Sequence, residues 1–503
     1  MKKILYIFAA VLAFVLIASC KEDTRPGEVH GTVSYRETDI TDVVVTFTGE
    51  NGTYTYTTNE KGYYVFRDLP AGDYVVSVSY NGKEVASYLE HYEKADNPSL
   101  VSVEVNGFHV RNIIIPDSED MGWDEQEETD EDQYTLPDAE IPILAWHSIP
   151  AAYTSLERYQ ELKDCGFTIS YSFLANQEEI LAALDVAEQA GIKLLIPYDD
   201  TKAESIVNAV KDKSALYGYY LHDEPTTKQL DSLANCAQHI IDIDNKHAIY
   251  VNLFPNYVSE DDLGSTYEEY VKKAVKTLKT TQVSFDFYPI RETGVVDTWW
   301  QNLEIIRDES EAANMPFWAF ALSTSHNPYP IPTLAHLRMQ MYTNLAYGAQ
   351  CLQYFTYWCP TPGKWNFNNA PIEENGIRTD VYDVVKTMNE ELQARAGVFM
   401  GAKVLGVYHT GEIPVGTHAL TGYNRPIKAL HLEDNGIVVS FLENGKWSYV
   451  MFVNRSHEVG FDFSVDFDRD MQVVYSDGTI EDAGNSYQDK LEAGDCAIFR
   501  CRK

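Results

Sequence analysis

Hydrophobic and polar positions follow three different patterns along the chain. In residues 28–116, apolar residues alternate with polar ones in short runs such as 43–47 and 74–78, which predicts half-buried β-strands. In residues 141–398, short continuous apolar runs are separated by segments in which apolar residues recur every three or four positions, which predicts alternating strands and helices. From residue 401 onwards the short strand-like runs return.

The central stretch contains eight apolar runs that predict strands, at residues 143–146, 167–171, 192–197, 216–221, 248–253, 283–288, 317–322 and 351–357. Helical periods lie between them, for example Ile180, Leu184 and Ala187 before Gly191, since glycine suits the end of a helix. Further helical periods begin at Leu230, Leu334 and Val381. The eight strand–helix units predict a (β/α)8 barrel. A doubly wound open sheet is the alternative, but no glycine-rich phosphate loop follows the first strand.

The two flanking stretches resemble known β-domains. Residues 58–74, with Gly62 and Gly72 where turns need a positive φ, resemble the carboxypeptidase regulatory-like β-sandwich. That resemblance implies a spacer or docking unit without catalytic function. Residues 453–456 and 493–499 resemble the small β-sandwich that caps many glycosidase barrels, and we expect this domain to pack against the barrel.

The predicted fold class is therefore multidomain, a (β/α)8 TIM barrel flanked by an N-terminal and a C-terminal β-sandwich. The expected divisions are a signal peptide at 1–20, the N-terminal sandwich at 21–116, an acidic linker at 117–140, the barrel at 141–398 and the C-terminal sandwich at 399–503.

The first twenty residues predict export. Lys2 and Lys3 precede an apolar run at 4–17, which is too short to span a membrane comfortably but suits a secretion signal. Small residues directly before Cys20 resemble the lipobox of bacterial lipoproteins, and the charged residues 21–23 resemble the surface-export signal of Bacteroidetes lipoproteins. The resemblance implies lipidation of Cys20 and an outer-membrane lipoprotein at the cell surface, or one that faces the periplasm. A simple cleaved signal and an uncut anchor are the alternatives.

Charge excludes one class of partner. The chain has 76 acidic and 39 basic residues, a net charge of -37, so its surface repels phosphate backbones and we predict no nucleic-acid partner. Twelve of the acids lie in residues 117–140, which contain no Lys or Arg, and self-repulsion there predicts an extended linker. We expect contact with the membrane only through the lipid anchor, and a monomer.

The end of the fourth predicted strand carries the main candidate chemistry. Residues 217–225 read Tyr-Gly-Tyr-Tyr-Leu-His-Asp-Glu-Pro, so Asp223 and Glu224 stand side by side where barrel enzymes place catalytic groups. This pattern resembles the clan A glycoside hydrolases, including family 42 β-galactosidase relatives. The resemblance implies that Glu224 is the general acid that protonates the leaving oxygen. The alternative is that one of the two acids merely caps the following helix.

A second carboxylate is harder to assign. The resemblance implies a Glu at the end of strand seven, but residues 316–326 contain no acid, and Asp223 stands where the clan has Asn. Three interpretations remain open. Asp286, at the end of strand six, is a nucleophile, base or sugar ligand; or Asp223 and Glu224 use substrate assistance, as the resemblance to family 20 hexosaminidases implies; or the cleft binds glycan without cleaving it.

Aromatic and polar residues end almost every predicted strand. Aromatic rings stack on the apolar faces of sugars, while Asp, Asn and His bond hydroxyl groups, so the set predicts a carbohydrate cleft. The candidate substrate-binding residues are Trp146, His147, Tyr198, Asp199, His222, Asn252, Tyr288, His326, Tyr357 and Trp358.

No motif calls for a cofactor. The chain lacks HExxH, P-loop and GxSxG patterns, and the adjacent Asp199 and Asp200 are a weak metal signal, so we predict neither cofactor nor metal. The predicted function is hydrolysis of O-glycosidic bonds in an oligo- or polysaccharide, with Glu224, Asp223 and Asp286 as catalytic residues. The rivals are an N-acetylhexosaminidase and a non-catalytic surface glycan-binding protein.

Overall fold

The computed structural model describes residues 26–36, 38–59, 62–90, 97–104, 108–116, 118–119, 134–198, 202–361, 363–421, 424–433 and 436–503. The predicted signal peptide with Cys20, most of the acidic linker, and Asp199 with Asp200 lie outside these residues. Two compact units divide between residues 127 and 128, inside the stretch where the linker is predicted.

The N-terminal unit is a β-sandwich, as predicted. Its strands are β1 Gly27–Tyr35, β2 Thr38–Asp39, β3 Val43–Gly49, β4 Gly52–Thr57, β5 Tyr63–Leu69, β6 Gly72–Tyr80, β7 Lys83–Val85, β8 Tyr88–Leu89, β9 Leu100–Val103, β10 Phe108–Val110 and β11 Ile113–Ile115. One sheet runs β10-β1-β11-β8 with β2 and β5 also paired to β1, and the other runs β4-β3-β6-β7 with β9 on β6. Gly62 and Gly72 have positive φ angles of 65° and 156°, as expected of turn glycines.

The second unit contains a closed eight-stranded parallel barrel. Its strands are β12 Ile143–Trp146, β13 Ile169–Tyr171, β14 Lys193–Pro197, β15 Leu216–Asp223, β16 Ala248–Leu253, β17 Val283–Phe285, β20 Phe317–Leu322 and β21 Cys351–Phe355. A two-stranded hairpin, β18 Ile290–Arg291 and β19 Gly294–Val295, is inserted after β17. The (β/α)8 prediction is confirmed.

Helices follow the barrel strands in the predicted alternation. They are α1 Leu156–Asp164, α2 Gln177–Ala190, α3 Ala203–Val210, α4 Leu230–Ile243, α5 Glu260–Leu263, α6 Tyr267–Thr277, α7 Thr298–Ala312, α8 Leu334–Ala346, α9 Asp380–Ala394 and α10 Ala396–Phe399. Local signals set their limits: Thr266 and Glu269 form a capping box at the start of α6, and α2 ends at Gly191 with a φ of 71°. None of the described helices is long and apolar enough to cross a membrane.

Alternation along each barrel strand separates two apolar cores. In β12, Ile143 and Ala145 pack against the helices, whereas Leu144 and Trp146 point into the barrel. The interior cluster is rich in aromatic rings, including Tyr250 of β16. The barrel is therefore filled, and its chemistry is confined to the strand ends.

The C-terminal domain is one continuous antiparallel sheet of seven strands. They are β22 Lys403–His409, β23 Ile427–Leu432, β24 Ile437–Asn444, β25 Trp447–Asn454, β26 Phe461–Val474, β27 Ile480–Leu491 and β28 Cys496–Arg502, in the order β22-β24-β25-β28-β26-β23 with β27 on β26. The sheet joins the barrel's outer core, and the Ser440 hydroxyl donates to the Ala346 carbonyl oxygen (2.7 Å) at the end of α8. Packing on the barrel is confirmed.

Candidate active site

Three acids meet at the carboxyl ends of neighbouring barrel strands. Asp223 is the last residue of β15, Glu224 follows it, and Asp286 follows the last residue of β17. The Glu224 and Asp286 carboxyl groups are in hydrogen-bonding contact, and both interact electrostatically with Asp223. The structure thus brings together all three predicted catalytic residues at the face where (β/α)8 barrels carry their active sites.

A bend at the end of β15 allows two adjacent acids to share one site. Adjacent strand residues normally point to opposite faces. Here the register to β16 shifts between Tyr220 and His222, and Glu224 has a left-handed φ of 48°. The Glu224 amide donates to the Asn252 carbonyl oxygen (2.8 Å), which fixes the bend. A left-handed non-glycine residue costs free energy, and such strain is typical of functional sites.

Asn252 of β16 links two of the acids. Its Nδ2 donates to Asp223 Oδ1 (3.2 Å) and to Asp286 Oδ1 (2.9 Å), and its Oδ1 accepts from the Ser284 hydroxyl (2.9 Å). Asn252 is buried, and both of its amide hydrogens are used by the acids. Its position therefore serves to orient Asp223 and Asp286, whereas the sequence predicted a contact with sugar hydroxyls.

A buried polar chain supports Asn252 from below. The Tyr250 hydroxyl donates to Gln353 Oε1 (2.7 Å), and Gln353 Nε2 donates to Ser284 Oγ (2.9 Å). Sequence reasoning missed these three residues. The signal was present, because each is a polar group within an otherwise apolar barrel strand, and a buried polar group needs a partner.

Burial and mutual repulsion perturb the acids. Burial, and secondarily the neighbouring Asp223 carboxylate, raises the pKa of Glu224 to about 7. The pKa of Asp286 is raised well above its usual value by burial and by the charges of Glu224 and Asp223, while the Asn252 hydrogen bond acts in the opposite direction. Burial also raises the pKa of Asp223, although that side chain keeps substantial contact with solvent.

Aromatic rings line the barrel beside the acids. The Trp146 ring lies 4.5 Å from Tyr171 and 5.2 Å from Tyr220, and the rings of Tyr171 and Tyr220 are 4.4 Å apart. The hydroxyl groups of Tyr220 and Tyr288 both experience the charges of Asp223 and Asp286. Trp146 and Tyr288 are thus placed near the acids, together with Tyr171 and Tyr220, which sequence reasoning missed.

Four other predicted substrate residues differ in their burial and in their contacts. His326 packs on Tyr329 at 4.7 Å, and His222 Nδ1 bonds the Asp223 carbonyl oxygen (2.5 Å). His147 is half-buried, which lowers its pKa, and Tyr198 is half-buried beyond the end of β14.

Tyr357 and Trp358 lie away from the acids. Their exposed fractions are 0% and 1%, and they belong to the core between the barrel and its helices. The Tyr357 ring packs against Phe167 (5.3 Å), and the Trp358 ring packs against Tyr153 (4.7 Å). The predicted eighth strand continues to residue 357, but β21 ends at Phe355, so inward and outward positions no longer alternate beyond it.

Metal binding has no support in the described part of the chain. No group of three or more His, Cys, Asp or Glu side chains there has an arrangement that could hold a metal ion. The three acids lie together with raised pKa values, an arrangement that suits acid–base chemistry on a substrate.

Comparisons with known proteins agree with this architecture. A model of the carboxypeptidase regulatory-like domain matches residues 28–106. No curated protein matches the chain. A β-galactosidase from Bacillus circulans sp. alkalophilus has 9% identity and a TM-score of 0.51, with 73% of this chain and 100% of that chain covered. The barrel and its neighbouring sheet therefore share the fold of this glycoside hydrolase.

Two further solved structures are similar at a lower level. A family 42 β-galactosidase from G. stearothermophilus has 9% identity and a TM-score of 0.49, with 74% of this chain and 99% of that chain covered. A β-galactosidase from Marinomonas ef1 has 9% identity and a TM-score of 0.38 over 51% of this chain, which spans only 60% of that protein's length.

Proposed function

We propose that the protein is a glycoside hydrolase that cleaves O-glycosidic bonds of an oligo- or polysaccharide. The observation that carries this proposal is the contact between Glu224 and Asp286 at the carboxyl face of the barrel, with the pKa of Glu224 raised to about 7. A carboxylic acid that keeps its proton near neutral pH, beside a second carboxyl group, is the arrangement that glycoside hydrolysis requires.

In the proposed mechanism, Glu224 donates its proton to the glycosidic oxygen as the bond to the anomeric carbon breaks. The hydrogen bond from Asn252 favours Asp286 as the ionised member of the pair, and its carboxylate attacks that carbon; water, deprotonated by Glu224, later releases the sugar. Two carboxyl groups in contact cannot easily both ionise, so the pair carries one proton near neutral pH. Asn252 orients Asp286 from β16, and Asp223 orients the substrate or Glu224.

The contact between the two carboxyl groups favours retention of configuration over inversion. Retaining enzymes hold their carboxyl groups about 5–5.5 Å apart, and inverting enzymes about 6.5–9.5 Å apart to admit a water molecule. Hydrogen-bonding contact between Glu224 and Asp286 leaves no room for the intervening water molecule that inversion needs. Substrate assistance by Asp223 and Glu224 would leave Asp286 remote, so the same contact argues against the hexosaminidase alternative.

A non-catalytic glycan-binding protein remains the second candidate, and one observation favours it. The end of β20, where the resembled clan carries an acid, holds Ser323 and Thr324, which are buried and hydrogen-bonded to Thr356. These two side chains present no carboxyl group where the resembled clan carries its acid.

We also propose that the protein is an outer-membrane lipoprotein at the cell surface, anchored only through lipid on Cys20. The charged and apolar order of the first twenty residues supports this location. A protein at this location binds its carbohydrate substrate outside the cell. We expect it to be a monomer.

The test is a screen for released sugars across plant and host glycans, with Glu224→Gln beside the wild type. Loss of the proton donor should lower turnover at least about a hundredfold while glycan affinity is kept. Lys272→Gln, on the exposed face of α6, is the matched control and should leave turnover unchanged. Glycan binding without any released sugar from the wild type would establish the non-catalytic alternative instead.

A further inference from the structure

One arginine beside the acids differs from every other arginine of the barrel. Residues 141–398 contain six arginines, all described by the structure. Five of them hydrogen-bond a carboxylate or a backbone carbonyl: Arg158, Arg307, Arg338, Arg378 and Arg395. Among the described residues, Arg291 has neither an ion pair nor a hydrogen bond to its guanidinium group, and its Nε is buried without a partner.

Arg291 is held at the rim of the site by aromatic rings. It lies in the β18–β19 hairpin, directly after the strand that positions Asp286. Its Cζ lies 5.9 Å from the ring centre of Tyr257 and 5.8 Å from that of Tyr329. The Tyr257 hydroxyl experiences the charges of Asp286, Glu224 and Arg291, so one side chain connects the arginine with the acids.

The hairpin is anchored rather than free. The Glu292 amide donates to the Pro328 carbonyl oxygen (3.1 Å), which connects it to the loop after β20, and Tyr329 also packs against Tyr288 (6.0 Å between ring centres). The guanidinium group is therefore presented in a defined place beside the site.

An unpaired arginine in such a place needs an explanation. The chain has 76 acidic residues and a net charge of -37, so carboxylates are abundant, yet no acid in the described part of the chain pairs with Arg291. A buried guanidinium N–H without an acceptor costs free energy, which a ligand supplying the acceptor would recover. The raised pKa values of Glu224 and Asp286 agree that the arginine does not neutralise these acids.

We propose that Arg291 binds an anionic substituent of the substrate, a carboxylate or a sulfate group on a sugar next to the scissile bond. The planar guanidinium group can form two parallel hydrogen bonds to either oxyanion. An anionic glycan approaching three acids on a strongly acidic protein is repelled unless a cation offsets that repulsion, and Arg291 is the cation at this place. The inference rests on the proposed glycosidase function and specifies its substrate class as acidic glycans.

Binding of defined oligosaccharides to the Glu224→Gln protein tests the inference by calorimetry. The ligands are uronic-acid oligosaccharides with their carboxyl-reduced counterparts, and sulfated galacto-oligosaccharides with their desulfated counterparts. One acidic class should bind at least about tenfold more tightly than its neutral counterpart, and added salt should weaken only the acidic ligand. The class that responds identifies the group.

Variants of Arg291 complete the test. Arg291→Gln should remove the preference for the acidic ligand and leave affinity for its neutral counterpart unchanged. Arg291→Lys should keep part of that preference. Lys272→Gln should change the affinity for neither ligand. Neutral ligands that bind as tightly as acidic ones, or an equal loss of both in Arg291→Gln, would overturn the inference alone. If no oligosaccharide binds, and the wild type releases no sugar, the proposed function fails together with it.

Discussion

The two sides of the barrel's carboxyl face differ in their polar groups: one side carries clustered acids, and the other carries hydroxyl groups. At the ends of β15 and β17, Asp223, Glu224 and Asp286 lie together with raised pKa values. At the ends of β20 and β21, the polar side chains are hydroxyl groups that satisfy each other, as in the contact between Thr324 Oγ1 and Thr356 Oγ1 (2.7 Å). On the first side, mutual repulsion and burial of the acids are unfavourable for folding. On the second side, the hydrogen bonds between hydroxyl groups are satisfied and favour the folded state.

This difference indicates which polar groups serve function and which serve the stability of the fold. A buried group that is fully hydrogen-bonded stabilises the fold, whereas clustered acids destabilise it and persist where chemistry requires them. The site of the resembled glycosidases spans the barrel from strand four to strand seven. Here the carboxyl groups are concentrated on strands four and six, so we expect the reaction to occur against that side.

The largest effect is expected when the acidic side loses its second carboxyl group. Asp286→Asn should lower turnover by at least about a thousandfold, because the amide cannot attack the anomeric carbon. Turnover should be measured on the best substrate of the screen, with folding checked by thermal unfolding. Turnover within a few-fold of the wild type would remove Asp286 from the mechanism.

A smaller effect on stability should follow from pH. The pKa of Glu224 is about 7 in the folded protein and near its usual 4.5 when unfolded, so ionisation penalises the fold increasingly as pH rises through that interval. Glu224→Gln should therefore melt a few degrees higher than the wild type at pH 8, with a difference that fades towards pH 4.5. Melting curves across this range provide the check, and a difference independent of pH would mean that Glu224 is not perturbed.

The same titration should limit activity. If Glu224 must be protonated to act as the acid, turnover falls as pH rises above about 7.

The smallest effect on turnover is expected on the hydroxyl side. Thr324→Val keeps the shape but loses the hydrogen bonds with the Thr356 hydroxyl and amide (2.7 and 3.0 Å), which should cost about 1–3 kcal/mol of unfolding free energy. Turnover should stay within about threefold of the wild type, because these groups are buried and hydrogen-bonded to one another. Urea unfolding and steady-state rates measure the two quantities. A large loss of turnover without a loss of stability would mean that the Thr324 and Thr356 hydroxyl groups take part in the reaction.

Much of the architecture could be predicted because its signals are local. The apolar runs at 143–146, 248–253 and 317–322 became strands with those bounds, and Gly191 ends α2 where the helical period stops. Asp223 and Glu224 could be paired because they are neighbours in sequence. Asp286 could be added because strand ends meet on one face of a barrel.

The rest depended on contacts between distant segments. The polar chain from Asn252 through Ser284 to Gln353 follows from barrel closure, which no local pattern reports. Tyr357 was predicted to reach the cleft, but β21 ends two residues earlier and the side chain is buried in the core. The buried Arg291 Nε without a hydrogen-bond acceptor could not be predicted either, because the fold decides which groups surround it.

Trapping of the glycosyl–enzyme intermediate tests the central claim most directly. A mechanism-based 2-fluoro glycoside of the sugar identified in the screen should attach covalently to the enzyme, and peptide mass spectrometry should locate the added mass on Asp286. An adduct on another carboxylate, or a product of inverted configuration with no adduct, would contradict the assignment of Glu224 and Asp286 as a retaining pair.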